Sequence, residues 1–156
     1  MLNRVTLNLH TDQWTIQYER ESCELKRVFG SELLDIQHNG STAVPDLLAK
    51  PIIDIAVKIA SCKDADQFIN PLSKFDYTYR PEMSSTERHF FQKGNPVQFH
   101  LSIAYKDRGG YWDRQILFRD YLVNHEEARR EYESIKVKGI PKDEFVQKIL
   151  VLASND

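Results

Sequence analysis

The sequence predicts a single α/β domain: a mixed, largely antiparallel sheet of about four to five strands flanked by helices. Three observations predict it. Strand-like and helix-like periodicities interleave through the first two thirds of the chain, residues 88–105 carry a hairpin signal, and from Ile116 onward the apolar residues recur at helical spacing. A length of 156 residues is enough to bury one core. No repeat, low-complexity run or linker divides it, so residues 1–156 read as one domain.

The elements follow in order. Val5, Leu7 and Leu9 alternate with polar residues, a short strand or extended lead-in. Thr11 or Asp12 caps a helix over 13–29, whose Trp14, Tyr18, Leu25 and Phe29 share a face and which Gly30 ends. Leu34–His38 is a strand, and 39–50, with Gly40, Ser41, Thr42 and Pro45, is a turn and loop. Pro51 to Ile59 is the most β-rich run and the expected central strand, its apolar face interrupted by Asp54. Residues 63–73 have helical spacing through Ala65, Phe68, Ile69 and Leu72, and Phe75–Tyr79 reads as a strand. Arg88–Lys93 and Val97–Tyr105 form two strands joined at Gly94-Asn95. In the second of them Val97, Phe99, Leu101 and Ile103 face away from His100 and Ser102. Ile116, Leu117, Tyr121 and Leu122 stripe a helix. Asn124 with Glu127 makes a capping box for the next, which carries Ala128, Tyr132 and Ile135. Gly139 and Pro141 break the chain before a last amphipathic helix with Phe145, Ile149 and Leu152. The C-terminal helices are expected to pack on the sheet.

Composition narrows the function. Apolar residues make up 41% and charged residues 28%, as in an ordinary globular protein. A formal net charge of -2 gives no general pull toward nucleic acid or anionic membrane. No apolar run approaches the roughly 20 residues that span a bilayer, and Met1 to Thr11 lacks a secretory signal pattern. A cytoplasmic location is the simplest expectation. Cys23 and Cys62 lie in no metal-ligand spacing and read as buried thiols. No Gly-x-Ser-x-Gly elbow, complete Walker motif or dinucleotide fingerprint occurs.

The chemistry concentrates between His38 and Asp54. A Gly40-Ser41 turn after a strand offers backbone N–H groups to an anion, and the hydroxyls of Ser41 and Thr42 add donors. Lys50 brings positive charge, and Asp54 is a carboxylate suited to a divalent cation. A phosphate cradle beside such a carboxylate is the layout that holds a nucleoside triphosphate. Alternatively, Asp54 bonds a neighbouring loop and the turn is only a turn. Arg88 and Arg119 carry planar forks for phosphate or carboxylate, and Arg119 could equally pair with a carboxylate of the chain. Arg129, Arg130 and Lys136 read as a solvated helix face.

The run HNGSTAVPDLLAKPIIDIAV resembles the signature of the GrpB-like family, in which His-x-Gly-Ser-Thr-x-Val-Pro-Gly-Leu leads into Ala-Lys-Pro-Ile-Ile-Asp. Phe99-His100-Leu101 resembles that family's second patch. Leu117-Phe118-Arg119-Asp120-Tyr121-Leu122, followed by Ala128 to Lys136, resembles its C-terminal helical signature. The resemblance implies a nucleotidyltransferase-like fold, in which Gly-[Gly/Ser] precedes Asp-x-[Asp/Glu] on a strand. Here Gly40-Ser41 is followed by twelve residues and then Asp54, but Ala56 stands where the second carboxylate belongs. Two further departures are Gln37, where Glu often stands, and Asp46, where Gly is usual.

Two or three imidazoles, from His38, His89 and His100, are candidates to join Asp54 in place of the missing carboxylate. Such a set would suit Zn or Mn better than Mg. The expectation is a protein that binds a nucleotide or other phosphorylated small molecule with a divalent metal. Gly40, Ser41, Thr42, Lys50 and Arg119 would hold phosphate, while Asp54, Lys50 and His100 would act in a nucleotidyl transfer to an unknown acceptor. Because some members of the family are fused to dephospho-CoA kinase domains, the resemblance also implies a loose link to coenzyme or nucleotide metabolism. The alternative is a non-catalytic nucleotide-binding or scaffold module that keeps the fold with an incomplete metal site.

Overall fold

In the computed structural model, which describes residues 6–155, the apolar run after Pro51 becomes an interior strand, paired on both sides, and the central position goes to the strand at Val97–Tyr105. Five strands, β1 (Asp35–Asn39), β2 (Ile53–Ile59), β3 (Tyr77–Tyr79), β4 (Arg88–Gly94) and β5 (Val97–Tyr105), lie in the order β1-β2-β5-β4-β3. β2 pairs parallel to β5 and the other three pairs are antiparallel, so the sheet is mixed and largely antiparallel as expected.

Strand alternation gives the sheet two different faces. Ile53, Ile55 and Val57 of β2, Leu101 and Ile103 of β5 and Phe91 of β4 form one, and all are buried. Helix α1 (Asp12–Phe29) lays Leu25 and Phe29 on this face, and α2 (Ile69–Lys74) adds Leu72. Thr11 caps α1 by accepting from the Gln13 amide (3.2 Å), and Gly30 ends it at φ 56. The other face is polar at one end, where Asp54, His100 and Gln92 sit side by side in register. Farther along it becomes small and apolar. There α3 (Tyr111–Asn124) lands, with Trp112 against Ala56 and Ala104.

The last two helices, α4 (Glu126–Lys138) and α5 (Asp143–Ser154), behave differently from expectation. Of the three C-terminal helices α3 is the one that packs on the sheet. α4 and α5 build a second core with α3 and the β1–β2 connection, in which Val44 and Leu47 meet Leu122, Tyr132, Phe145 and Ile149. The Tyr132 and Phe145 rings stack at 5.1 Å. The neighbouring sheet face is polar, so the apolar stripes of α4 and α5 find partners in the connection instead.

Local differences have local causes. The helix expected over 63–73 is broken into turns at Cys62–Asp64 and Asp66–Phe68, and α2 starts only at Ile69. Pro71 has no N–H and its ring collides with the carbonyl four residues back, so it is tolerated only in a first turn. The Asn124 capping box does not form: the Asn124 carboxamide donates to the Asp120 carbonyl (2.8 Å), and His125 occupies the cap position. β2 begins at Ile53 rather than Pro51. The lead-in contributes one bridge, Asn8 to Ala49, while Val5 lies outside the described residues. The cysteines are not buried as expected: both are free, Cys23 is exposed and Cys62 partly so. No helix among the described residues is long and apolar enough to cross a membrane.

Candidate functional site

The polar end of the sheet gathers Gly40, Ser41 and Asp54 from the residues singled out between His38 and Asp54. β1 delivers Asn39 opposite Asp54, and the chain then turns at Gly40 into a short helical turn, Ser41–Ala43. Gly40 adopts φ 69 and ψ -172, a conformation essentially reserved for glycine. Its lack of a side chain is also a packing requirement, because a Cβ there would lie 2.1 Å from Oδ2 of Asp54. The Asp54 carboxylate is therefore seated directly on the Gly40 backbone.

A chain of side chains orients the carboxylate's other oxygen. Arg80 Nε donates to Gln92 Oε1 (3.0 Å), which leaves the Gln92 amide facing His100 Nε2 at 3.3 Å. An imidazole nitrogen that accepts there carries its proton on the opposite nitrogen. His100 Nδ1 accordingly donates to Asp54 Oδ1 at 3.2 Å. The result is an aspartate–histidine pair in one tautomer, open on one side: the Asp54 side chain is 40% exposed and that of His100 26%.

Lys136 of α4 was expected on a solvated face. Instead its ammonium reaches back to the turn, donating to Ser41 Oγ and to the Leu48 carbonyl (3.1 Å), over the Tyr132 ring at 4.4 Å. No carboxylate pairs with it among the described residues. Burial pushes its pKa down to about 8 and Lys142 pushes the same way, against the pull of Asp54 and Glu133, with Lys50 adding least. α4 makes two more ties to the same connection: Glu133 accepts from the Leu48 amide (2.9 Å), and Arg130 donates to the Asp46 carbonyl (2.8 Å) and its carboxylate. Asp46 stands at φ 62, a conformation that favours glycine, and its carboxylate is paired with Arg130.

The remaining candidates divide. Thr42 is 1% exposed and bonded to His38 Nε2 at 2.8 Å, which makes it a strut for the turn. His38 points to the α1 face, stacked on Tyr18 at 4.8 Å. Burial holds its pKa down to about 4, against the attraction of Asp54 and with Arg119 and His10 adding to the lowering. His89 is not brought to the site. One residue out of phase with Gln92's face, it bonds Asp66 at 2.8 Å and the Tyr105 hydroxyl on the other side of the sheet. Arg119 is engaged by Gln37 (2.9 Å), the His38 carbonyl (3.1 Å) and Asp120 (2.9 Å), so it braces β1 from α3. Arg88 donates to Ser102 (3.0 Å) and Tyr111 (3.1 Å) along the same polar face. Lys50 is exposed and its side chain makes no hydrogen bond or ion pair among the described residues.

The metal-ligand set expected from three histidines therefore does not assemble around Asp54, and no group of three or more His, Cys, Asp or Glu suited to a metal occurs among the described residues. Ala56 is 1% exposed beneath Trp112, so the missing carboxylate position is closed by packing as well as by sequence. Sequence reasoning missed Lys136, Gln92 and Arg80. Only Lys136 carried a signal, as the last residue of the C-terminal signature.

Comparison with known proteins extends across this whole arrangement. A family model described as GrpB protein matches residues 4–148. UPF0157 protein YqkA of Bacillus subtilis is 35% identical over 133 residues, covering 85% of this chain but 39% of that protein. Glutamate-rich protein GrpB of Alkalihalophilus pseudofirmus is 33% identical over 148 residues, covering 90% of this chain and 85% of that one. A dephospho-CoA kinase of Mycolicibacterium paratuberculosis is 30% identical over 149 residues, 80% of this chain and 37% of the kinase. The crystal structure of conserved protein GrpB from Enterococcus faecalis superposes with a TM-score of 0.85 at 27% identity, covering 95% of this chain and 96% of that one.

Proposed function

The chain belongs to the GrpB family, and from that premise we propose that it binds a phosphate-bearing ligand of the nucleotide class at the Gly40–Ser41 turn, with Lys136 as the counter-charge. The observation that carries this reading is a partly buried ammonium, bonded to the turn's hydroxyl and lacking a carboxylate partner among the described residues. Taking a cation out of water without a counter-ion is costly, and an arriving phosphate would supply one. The relative named dephospho-CoA kinase supports the ligand class, since a segment like this chain occupies part of a protein with that name.

A divalent metal belongs to the reading only as a companion of the ligand. One carboxylate, already bonded to His100 through Oδ1, does not make a protein-only site. Asp54 Oδ2 would be the chain's ligand to an ion carried in by the phosphates. The buried Asn39 Oδ1, without a hydrogen-bond partner among the described residues, lies opposite Asp54 and would accept from its hydration shell. With Ala56 sealed under Trp112, the two-metal centre of nucleotidyl transfer is not assembled, and binding without transfer is the reading the geometry favours. The aspartate–histidine pair favours a second reading, acid–base chemistry on the bound ligand, in which His100 would move a proton at Nε2 once the ligand displaces the Gln92 amide from it.

Thermal-shift titration with inorganic phosphate and with ATP, each alone and with Mg, Mn or Zn, tests this. Stabilisation by both anions is expected, lost in Lys136→Met. If Lys136→Met responds like the wild type, the proposed site is wrong. Metal-dependent stabilisation that disappears in Asp54→Ala would support the ion's arrival with the ligand.

A further inference from the structure

A second concavity, about 760 Å³ in volume, opens between α1 and the N-terminal ends of β2 and β5. Its wall is apolar, with Trp14, Ile52, Val97 and Phe99, and carboxamides from Gln17 and Gln98 border it. Its charges are unbalanced. Among the described residues Glu21 is the only carboxylate lining it, and that group is already held by both Lys93 (2.8 Å) and the Tyr77 hydroxyl (2.7 Å). The cations Arg20 and Lys50 also line it, and neither side chain has an ion pair or hydrogen bond among the described residues. The groove thus combines apolar wall, two amide handles and two uncompensated positive charges. Its volume falls within the range of roughly 300–1,000 Å³ typical of small-molecule sites.

We propose that this groove binds a small anionic molecule with an apolar body, its acidic head on Lys50 and Arg20 and its body against Trp14, Ile52 and Phe99. The groove is distinct from the phosphate turn but lies beside it. Lys50 is four residues before Asp54 and Gln98 two before His100, so at about 3.3 Å per strand residue the groove's rim reaches the aspartate–histidine pair within about 7 Å along β5. A molecule seated there would be a second ligand of the chain, a co-substrate or an effector, held apart from the turn.

The probe is naphthalene-1-sulfonate, compared with neutral 1-naphthalenemethanol by calorimetry and by amide and indole NMR. Saturable binding of the sulfonate is expected, with shifts on the Trp14 indole and the Gln17 and Gln98 side-chain amides. Its affinity should fall about tenfold or more in the double variant Arg20→Gln/Lys50→Gln. These two residues are exposed, so the fold should be kept, and the NMR spectrum checks it. Gln17→Trp, which fills the groove, should abolish binding, and Lys136→Met should leave it intact. Equal affinity for the neutral compound, shifts centred away from α1, or binding unchanged in the double variant would each overturn the proposal. Loss of the phosphate response in Lys136→Met bears on the turn alone, so the two sites can fail separately.

Discussion

Replacing Gly40 by alanine probes the contact on which the site is built. At φ 69 and ψ -172 the backbone lies in a region that costs a non-glycine residue about 1–3 kcal/mol. The new methyl would also fall 2.1 Å from Asp54 Oδ2 and 2.8 Å from its Cγ, so the carboxylate must swing away and release His100. Losing that bond costs about 0.5–1.5 kcal/mol, toward the low end because the Asp54 side chain is 40% exposed. The expected loss is about 2–4 kcal/mol in urea unfolding followed by tryptophan fluorescence. Gly139→Ala is the matched control. Gly139 has the same φ of 69, but a Cβ there meets nothing within 4 Å, so only the left-handed backbone penalty of about 1–2 kcal/mol applies. The His100 ring nitrogens, read by long-range NMR correlation, should change in Gly40→Ala and stay put in Gly139→Ala. If the two variants lose the same stability and His100 is unchanged in both, the carboxylate does not rest on Gly40 and the site as described is wrong.

Three further outcomes follow from the same geometry. Lys136 has a folded pKa lowered to about 8, so above that pH the unfolded chain binds the extra proton; its contribution to stability is lost as pH falls through 8, and wild type should gain on Lys136→Met between about pH 8 and 10.5. In the same window, phosphate affinity should fall with rising pH in the wild type and hold in Lys136→Arg, as read by calorimetry. His38, with its pKa lowered to about 4, is buried neutral; between about pH 6.5 and 4 the unfolded state takes up the proton, so wild type should lose more stability on acidification than His38→Gln in parallel urea titrations. Ala56→Asp, which restores a second carboxylate, would bury it under Trp112 and should cost about 3 kcal/mol or more; a loss below about 1 kcal/mol would show that the position has room for the charge.

The sheet was legible because its signals are short-range. The alternation in Val97–Tyr105, the Gly94-Asn95 hairpin and the β-branched run after Pro51 each specify a strand without reference to the rest of the chain. The break at Pro71 was equally local and could have been read from the missing N–H. Gly40, Ser41, Asp54 and His100 were found because a strand–turn–strand segment and one neighbouring strand carry them. Which histidines would join Asp54 depended on strand phase. A one-residue offset puts His89 against Asp66 and sends His38 to the α1 face, and phase across a sheet is a long-range fact. Lys136 was missed for a related reason: on its own helix it looks like any solvated lysine, and only the second core around Leu47 and Tyr132 turns it toward Ser41.

The three ties from α4 to the β1–β2 connection also set a timetable. Ser41 and Lys136 are 95 positions apart, and the Leu48 amide and Glu133 are 85 apart. A chain emerging from the ribosome at about 5–20 residues per second exposes the glycine turn several seconds before its lysine exists. During that interval the turn has neither its cation nor its brace, so it is completed only once synthesis has carried α4 clear of the exit tunnel.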